Sequence, residues 1–267
     1  MARLVETITD SERSSSATVR RFFIVAFTLT WSIGGIGLVI GRIFPGRPFS
    51  TSSALYYLAA YSVSLTGIVF TAHHDGRQGL RHLAQRLNPL NAPAASYVIV
   101  VAGYAAIAAA ALLAGSAYHH TPLSLPSART VFTVLVVTLV RDPGPVGEEF
   151  GWRGFALPRL AERYSPLEAS VRLGLVHAAW HIPLFFIPGQ PQAQMSFPLF
   201  TIGVVALSVF NTALYLRTRA NLLLAILVHL LGNVAGGFAV DAHALNFQFL
   251  AEGAAAVIVV LAGGLKA

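Results

Sequence analysis

Residues 131–153 read VFTVLVVTLVRDPGPVGEEFGWR. An uncharged, mostly apolar run from Val131 to Val140 meets Arg141, Asp142, Pro143, Pro145 and the adjacent acids Glu148 and Glu149. Either an apolar helix stops early here, or one long helix carries its charges into a protected interior. The second reading is favoured, because charges inside a helical bundle are tolerated when they face one another or water. Pro143 and Pro145 should kink or break the helix, freeing carbonyls that need other partners.

Outward from this stretch the chain is a series of apolar runs. They cover Phe22–Ile43, Ala54–Ala72, Ala94–Ala114, the run from Val131, Val171–Ile187, Phe197–Leu216, Leu222–Val240 and Phe247–Leu265. A spanning helix needs about 20 apolar residues, so the expected fold is an all-α, polytopic transmembrane bundle of about eight spanning helices. Composition agrees. Of the 267 residues 55% are hydrophobic and 11% charged, too little charge for the skin of a soluble domain of this size. Cysteine is absent, which excludes disulfides and thiolate chemistry.

The formal net charge is +7, carried by Arg residues that sit between the apolar runs. They read as a topology signal, with no nucleic-acid partner implied. With the N-terminus inside, fourteen cations fall inside: Arg3, Arg13, Arg20, Arg21, Arg77, Arg81, Arg86, Arg141, Arg153, Arg159, Arg163, Arg217, Arg219 and Lys266. Only Arg42, Arg47 and Arg129 fall outside, and Arg172 lies within a run. The asymmetry places both termini in the cytoplasm and favours an even number of spans. Residues 1–21 form a polar cytoplasmic segment without a cleavable signal, and 22–267 a single bundle without internal repeats. Leu157–Tyr164 reads as a short interfacial helix.

Three constellations carry chemistry. In Glu148-Glu149-Phe150-Gly151-Trp152-Arg153 the two acids project about 100° apart on a helix and so serve different purposes. Glu149 and Arg153, four apart, share a face and can pair. Glu148 faces elsewhere, and a carboxylate kept from bulk water is a candidate general base. In His177-Ala178-Ala179-Trp180-His181 two imidazoles share a face at metal-ligand spacing, although buried histidines are as often merely hydrogen-bonded. In His229-Leu230-Leu231-Gly232-Asn233 the two polar groups again share a face, as an oxyanion site or as polar glue between helices. Together they supply a water activator and an oxyanion stabiliser, the two parts hydrolysis needs.

EEFGWRGFALPRL, then WHIPLF, then HLLGN resembles the CAAX protease and bacteriocin-processing family of membrane glutamic endopeptidases, also called Abi. Its motifs are EExxxR, an aromatic followed four residues later by His, and HxxxN. The resemblance covers about 131–237. It implies that Glu148 activates water, His181 assists it, His229 and Asn233 form an oxyanion hole, and Glu149 and Arg153 support them. The second motif departs from the pattern, because His177 stands where the aromatic falls. A different placement makes His177 the motif histidine, with Leu173 in the aromatic's place.

The expected activity is hydrolysis of a peptide bond in a peptide or membrane-associated protein, without a metal. The expected location is a bacterial cytoplasmic membrane, with lipid around the bundle and the active-site cavity facing the cytoplasm. Glu148, His177, His181 and His229 could in principle ligate zinc, which gives a zinc-dependent membrane protease as a competing reading. A catalytically silent immunity-type or scaffold protein and a proton-relaying transporter compete with it as well. A pseudoenzyme usually lacks a catalytic residue, and none is missing; a transporter often shows paired halves, and no duplication is visible.

Overall fold

The computed structural model describes residues 2–44, 54–187, 190–239 and 242–266, and among these it is helical with no strand. Arg47 and Val240, both used above, lie outside the described residues. The helices are α1 (Ala2–Ile43), α2 (Ala54–Gln85), α3 (Ala94–Tyr118), α4 (Ala128–Arg141), α5 (Gly144–Glu149), α6 (Leu157–Ala161), α7 (Pro166–Trp180), α8 (Phe197–Arg217), α9 (Leu222–Gly236) and α10 (Ala242–Leu261). A π-helical stretch, Phe150–Ala156, joins α5 to α6.

Among the described residues five helices are long and apolar enough to cross a membrane: α2, α3, α8, residues Ala17–Ile40 of α1 and His243–Leu261 of α10. The runs expected at Val131, Val171 and Leu222 form shorter helices, α4, α7 and α9, of 14, 15 and 15 residues. Their shortness has local causes. Asp142 precedes a proline, which disfavours helical backbone; it sits at φ −92°, ψ 111° and ends α4. Helix α7 starts on a Ser165 cap with Pro166 in the first turn and stops at Trp180, before Pro183. Asn221 caps α9 by accepting from Leu224 N–H at 3.0 Å. Helix α2 kinks at Gly76, whose φ of 62° suits a residue without Cβ.

The surface is inverted relative to a soluble domain. Val98, Ile99, Phe132, Val140 and Ile258 are each more than 60% exposed, whereas Glu148, Glu149, Arg153, His177 and Glu252 are buried. Apolar side chains outward and ionisable ones inward is the arrangement lipid demands. The largest buried cluster gathers Phe22, Val63, Trp152, Phe155, Leu157, Leu173 and Trp180, drawn from α1, α2, the π-helical stretch, α6 and α7.

The break at Asp142 corrects the expectation of one long helix carrying its charges inward: α4 ends, and the separate short helix α5 takes the acids inside. The carbonyl that Pro145 frees does find a partner: Tyr57 Oη donates to Arg141 C=O at 2.8 Å. Within α5, Ser64 Oγ donates to Val146 C=O at 2.8 Å. Ser64 Oγ also accepts from Phe150 N–H at 3.2 Å. So α2 holds both ends of α5. It comes this close because glycines meet there: a Cβ on Gly67 would lie 2.7 Å from Gly151 Cα.

Candidate active site

Helix α5 and the π-helical stretch that follows it present Glu148 and Glu149 in different directions, as their adjacency requires. Glu149 is fully buried and bonded to Arg153 Nη1 at 2.8 Å. Its same oxygen meets His229 Nδ1 at 2.8 Å. Arg153 reaches on to Ser208 Oγ of α8 at 3.1 Å. One buried carboxylate thus ties the π-helical stretch to α9, and its guanidinium partner ties that stretch to α8. Taken alone, a desolvated pair of this kind is weak evidence for stability. Its consequence here is geometric, because it fixes the His229 ring.

Glu148 points to α7. Its Oε2 lies 2.6 Å from His177 Nε2, with Trp152 Nε1 at 3.4 Å. The other oxygen, Oε1, makes no hydrogen bond among the described residues. It borders the space over Gly144, where a Cβ would sit 3.3 Å from Glu148 Oε1, 3.1 Å from His229 Nε2 and 3.1 Å from Asp142 Oδ1. A glycine at 144 therefore lets a carboxylate oxygen, an imidazole nitrogen and a second carboxylate face one gap. Asp142 also accepts from Gly144 N–H at 2.9 Å and from Asn233 Nδ2 at 2.5 Å. An amide has two N–H donors, so Asn233 keeps a second one.

Both histidines of α7 are present but differ in place. His177 lies within α7 and faces Glu148 across the bundle. His181 follows the last helical residue, with Nδ1 on His177 C=O at 3.1 Å and its ring 5.1 Å from that of His177. The position on Glu148 assigned above to His181 is held in the structure by His177, with Leu173 buried one turn before it. Trp180 anchors this corner: its indole donates to Thr30 Oγ1 at 2.9 Å, and its C=O accepts from Trp31 Nε1 at 3.0 Å. Ligand atoms of Glu148, His177 and His181 all lie within 4.8 Å of one another, the one group among the described residues with the make-up of a metal site. His229 is not part of it.

These residues border a cavity of about 480 Å³ that includes Asp142, Gly144, Glu148, His177, His181, His229 and Asn233. Three participants were not singled out in the sequence. Asp142 was read only as a charge beside a proline, and Ser208 sits unmarked in α8. Arg86 was counted as a cytoplasmic cation; its guanidinium donates to the C=O groups of Ala220, Gly154 and Arg153 at 2.6, 3.0 and 2.7 Å.

Fold and site define a helical integral membrane protein with a carboxylate–imidazole centre inside its bundle. Residues 127–235 match the family model described as "Type II CAAX prenyl endopeptidase Rce1-like". A CAAX prenyl protease 2 from Methanococcus maripaludis is 33% identical over 93 residues, which are 33% of this chain and 34% of that protein. The chain thus matches about a third of the length of this curated relative. The segment 127–235, which holds every site residue proposed from the sequence, is thus similar to Rce1-like CAAX prenyl endopeptidases.

Proposed function

We propose that the chain is an intramembrane endopeptidase in which Glu148 activates water against a peptide carbonyl. The observation that carries this reading is the gap over Gly144, bordered by Glu148 Oε1 and His229 Nε2. A base and an oxyanion donor facing one space are what such a hydrolysis requires.

Glu148 acts as a carboxylate. Its Oε2 is engaged by His177, so the proton in that hydrogen bond sits on His177 Nε2 and the imidazole holds the carboxylate in place. Oε1 takes a proton from water. The hydroxide attacks the carbonyl carbon, and the carbonyl oxygen becomes an oxyanion. His229, as an imidazolium held by Glu149, donates to it from Nε2, and Asn233 donates its second N–H. The tetrahedral intermediate collapses, the C–N bond breaks, and Glu148 returns its proton to the leaving nitrogen. The products are a carboxylate and an amine. His181 borders the same cavity beside His177 and assists from there.

The substrate is a peptide or the tail of a membrane-associated protein that enters a cavity open to the cytoplasm, in a cytoplasmic membrane. The Methanococcus maripaludis relative is named for CAAX prenyl substrates. Gly144→Ala puts a methyl into the gap. Displacements of this order at a reacting centre cost about 10²-fold in rate. That loss is expected in kcat/KM with little change in melting temperature, and unchanged kcat/KM would remove the gap from the mechanism.

The second reading, a zinc protease, draws on the grouping of Glu148, His177 and His181. Two ligands of one tetrahedral zinc at 2.0–2.2 Å lie about 3.3–3.6 Å apart. The 2.6 Å contact between Glu148 and His177 is shorter and fits a hydrogen bond. Purified protein treated with a chelator is therefore expected to cleave a peptide pool as well as untreated protein. Loss of cleavage restored by zinc would establish the metal reading in its place.

A further inference from the structure

Across the cavity from Glu148 lies a second polar group that the mechanism does not use. Tyr104 of α3 and Gln248 and Glu252 of α10 are buried, at 6%, 4% and 5% exposure, and all three line the same cavity. Gln248 Nε2 donates both to Glu252 Oε1 and to Gly232 C=O, each at 2.9 Å. This fixes the pair against the turn of α9 that carries His229 and Asn233. Gln248 Oε1 and Tyr104 Oη have no hydrogen-bond partner among the described residues. Buried polar atoms are almost always satisfied, so orphans that line a cavity point to a ligand.

Small residues make room for them. A Cβ on Gly232 would come within 3.5 Å of Tyr104 Oη, and one on Gly203 within 2.8 Å of Glu252 Oε2. A carboxylate, an amide oxygen and a phenol oxygen can all accept. Three carboxylates line the cavity, Asp142, Glu148 and Glu252, with Arg141 and the His229 imidazolium as the cations among the described residues. A carboxylate in a low-dielectric, mostly apolar cleft attracts cations. Tyr104, Gln248 and Glu252 all lie outside residues 127–235, so this cluster belongs to the part of the chain that the family match does not cover.

We infer that Tyr104, Gln248 and Glu252 form a subsite that binds a cationic side chain of the substrate, a lysine ammonium or an arginine guanidinium, and so select peptides carrying one near the scissile bond. The inference rests on the endopeptidase reading only in that the cavity takes a peptide. Tyr104, Gln248 and Glu252 offer acceptor oxygens to the three donors of an ammonium. Gln248 sets the subsite beside the HxxxN turn, so the selected residue lies close to the bond that is cut.

The test is a lysine scan of a fluorescent apolar peptide, each member paired with its norleucine twin. Binding is read by anisotropy in detergent on the full chain carrying Glu148→Gln to prevent turnover, and cleavage is read separately on the wild-type site. At one scanned position lysine should bind at least about tenfold more tightly than norleucine, the range of a charge-assisted hydrogen-bond site. Adding Glu252→Gln should abolish that preference while norleucine twins bind as before. Tyr104→Phe, which keeps the ring, should lower the preference about threefold to tenfold. Melting temperature and gel filtration identify a variant that has lost its fold, in which case Tyr104→Phe decides. No lysine preference at any position, or equal loss for lysine and norleucine peptides in both variants, overturns the subsite. A wild type that cleaves nothing yet shows the preference would count against the endopeptidase reading and leave the subsite standing.

Discussion

Glu148→Gln is expected to leave the protein folded and to lower kcat for peptide cleavage by at least about 10²-fold, the lower bound for losing a general base. The amide has nearly the shape of the carboxylate and can still accept from His177 through its oxygen, so the 2.6 Å contact has a replacement and stability should change little. What disappears is the ability of Oε1 to take a proton in the gap over Gly144. KM should move far less than kcat, because the substrate is held elsewhere in the cavity. If the variant instead melts well below wild type, Glu148 is chiefly a structural partner of His177. If it cleaves at the wild-type rate, another group activates water.

Arg153→Met should produce the largest loss of stability of any single change at the site. Arg153 is 1% exposed and its partner Glu149 is fully buried. Removing the guanidinium leaves a carboxylate with one oxygen already unpartnered and only His229 on the other. Breaking one side of a buried pair costs about 3–5 kcal/mol, chiefly the cost of an uncompensated charge. The methionine keeps most of the volume, so a void contributes little. The expected result is a large fall in melting temperature in detergent. Glu149→Gln combined with Arg153→Met should recover part of it, because the buried carboxylate is then gone and His229 can lose its proton. A double variant less stable than either single would show that packing around the side chains matters more than charge.

Much of the site was legible because it obeys helical spacing. Glu149 and Arg153 stand four apart and do pair; Glu148, one step round, does face elsewhere. Pro143 and Pro145 announced a break and freed carbonyls, and Tyr57 supplies the partner of one of them, Arg141 C=O. The two α7 histidines show where spacing stops being informative. HxxxH puts both on one helical face, and their rings do lie 5.1 Å apart near Glu148, but the spacing does not say which of them bonds it, and His177 does. Where α7 stops depends on Pro183 and on Thr30 and Trp31 of α1, and the second of these is a tertiary fact.

Other features were hidden for different reasons. The π-helical stretch Phe150–Ala156 has no signature in spacing, and it depends on glycine contacts with α2. Arg86 was weighed as a topology charge, whereas its geometry makes it a clasp for three carbonyls. Gln248 and Glu252 were passed over as part of a plain span. The rule applied to His229 and Asn233, polar groups four apart within an apolar run, would have found them.

The central claim is that Glu148 activates a water for attack on a peptide bond. The most direct measurement is mass spectrometry of a peptide pool incubated, in chelator and water enriched in heavy oxygen, with purified wild type and with Glu148→Gln. Internal cleavage by wild type, with heavy oxygen in each new C-terminal carboxylate and none of these products from Glu148→Gln, is the predicted result. Intact peptides after incubation with wild type, or the same labelled products from both proteins, would contradict it.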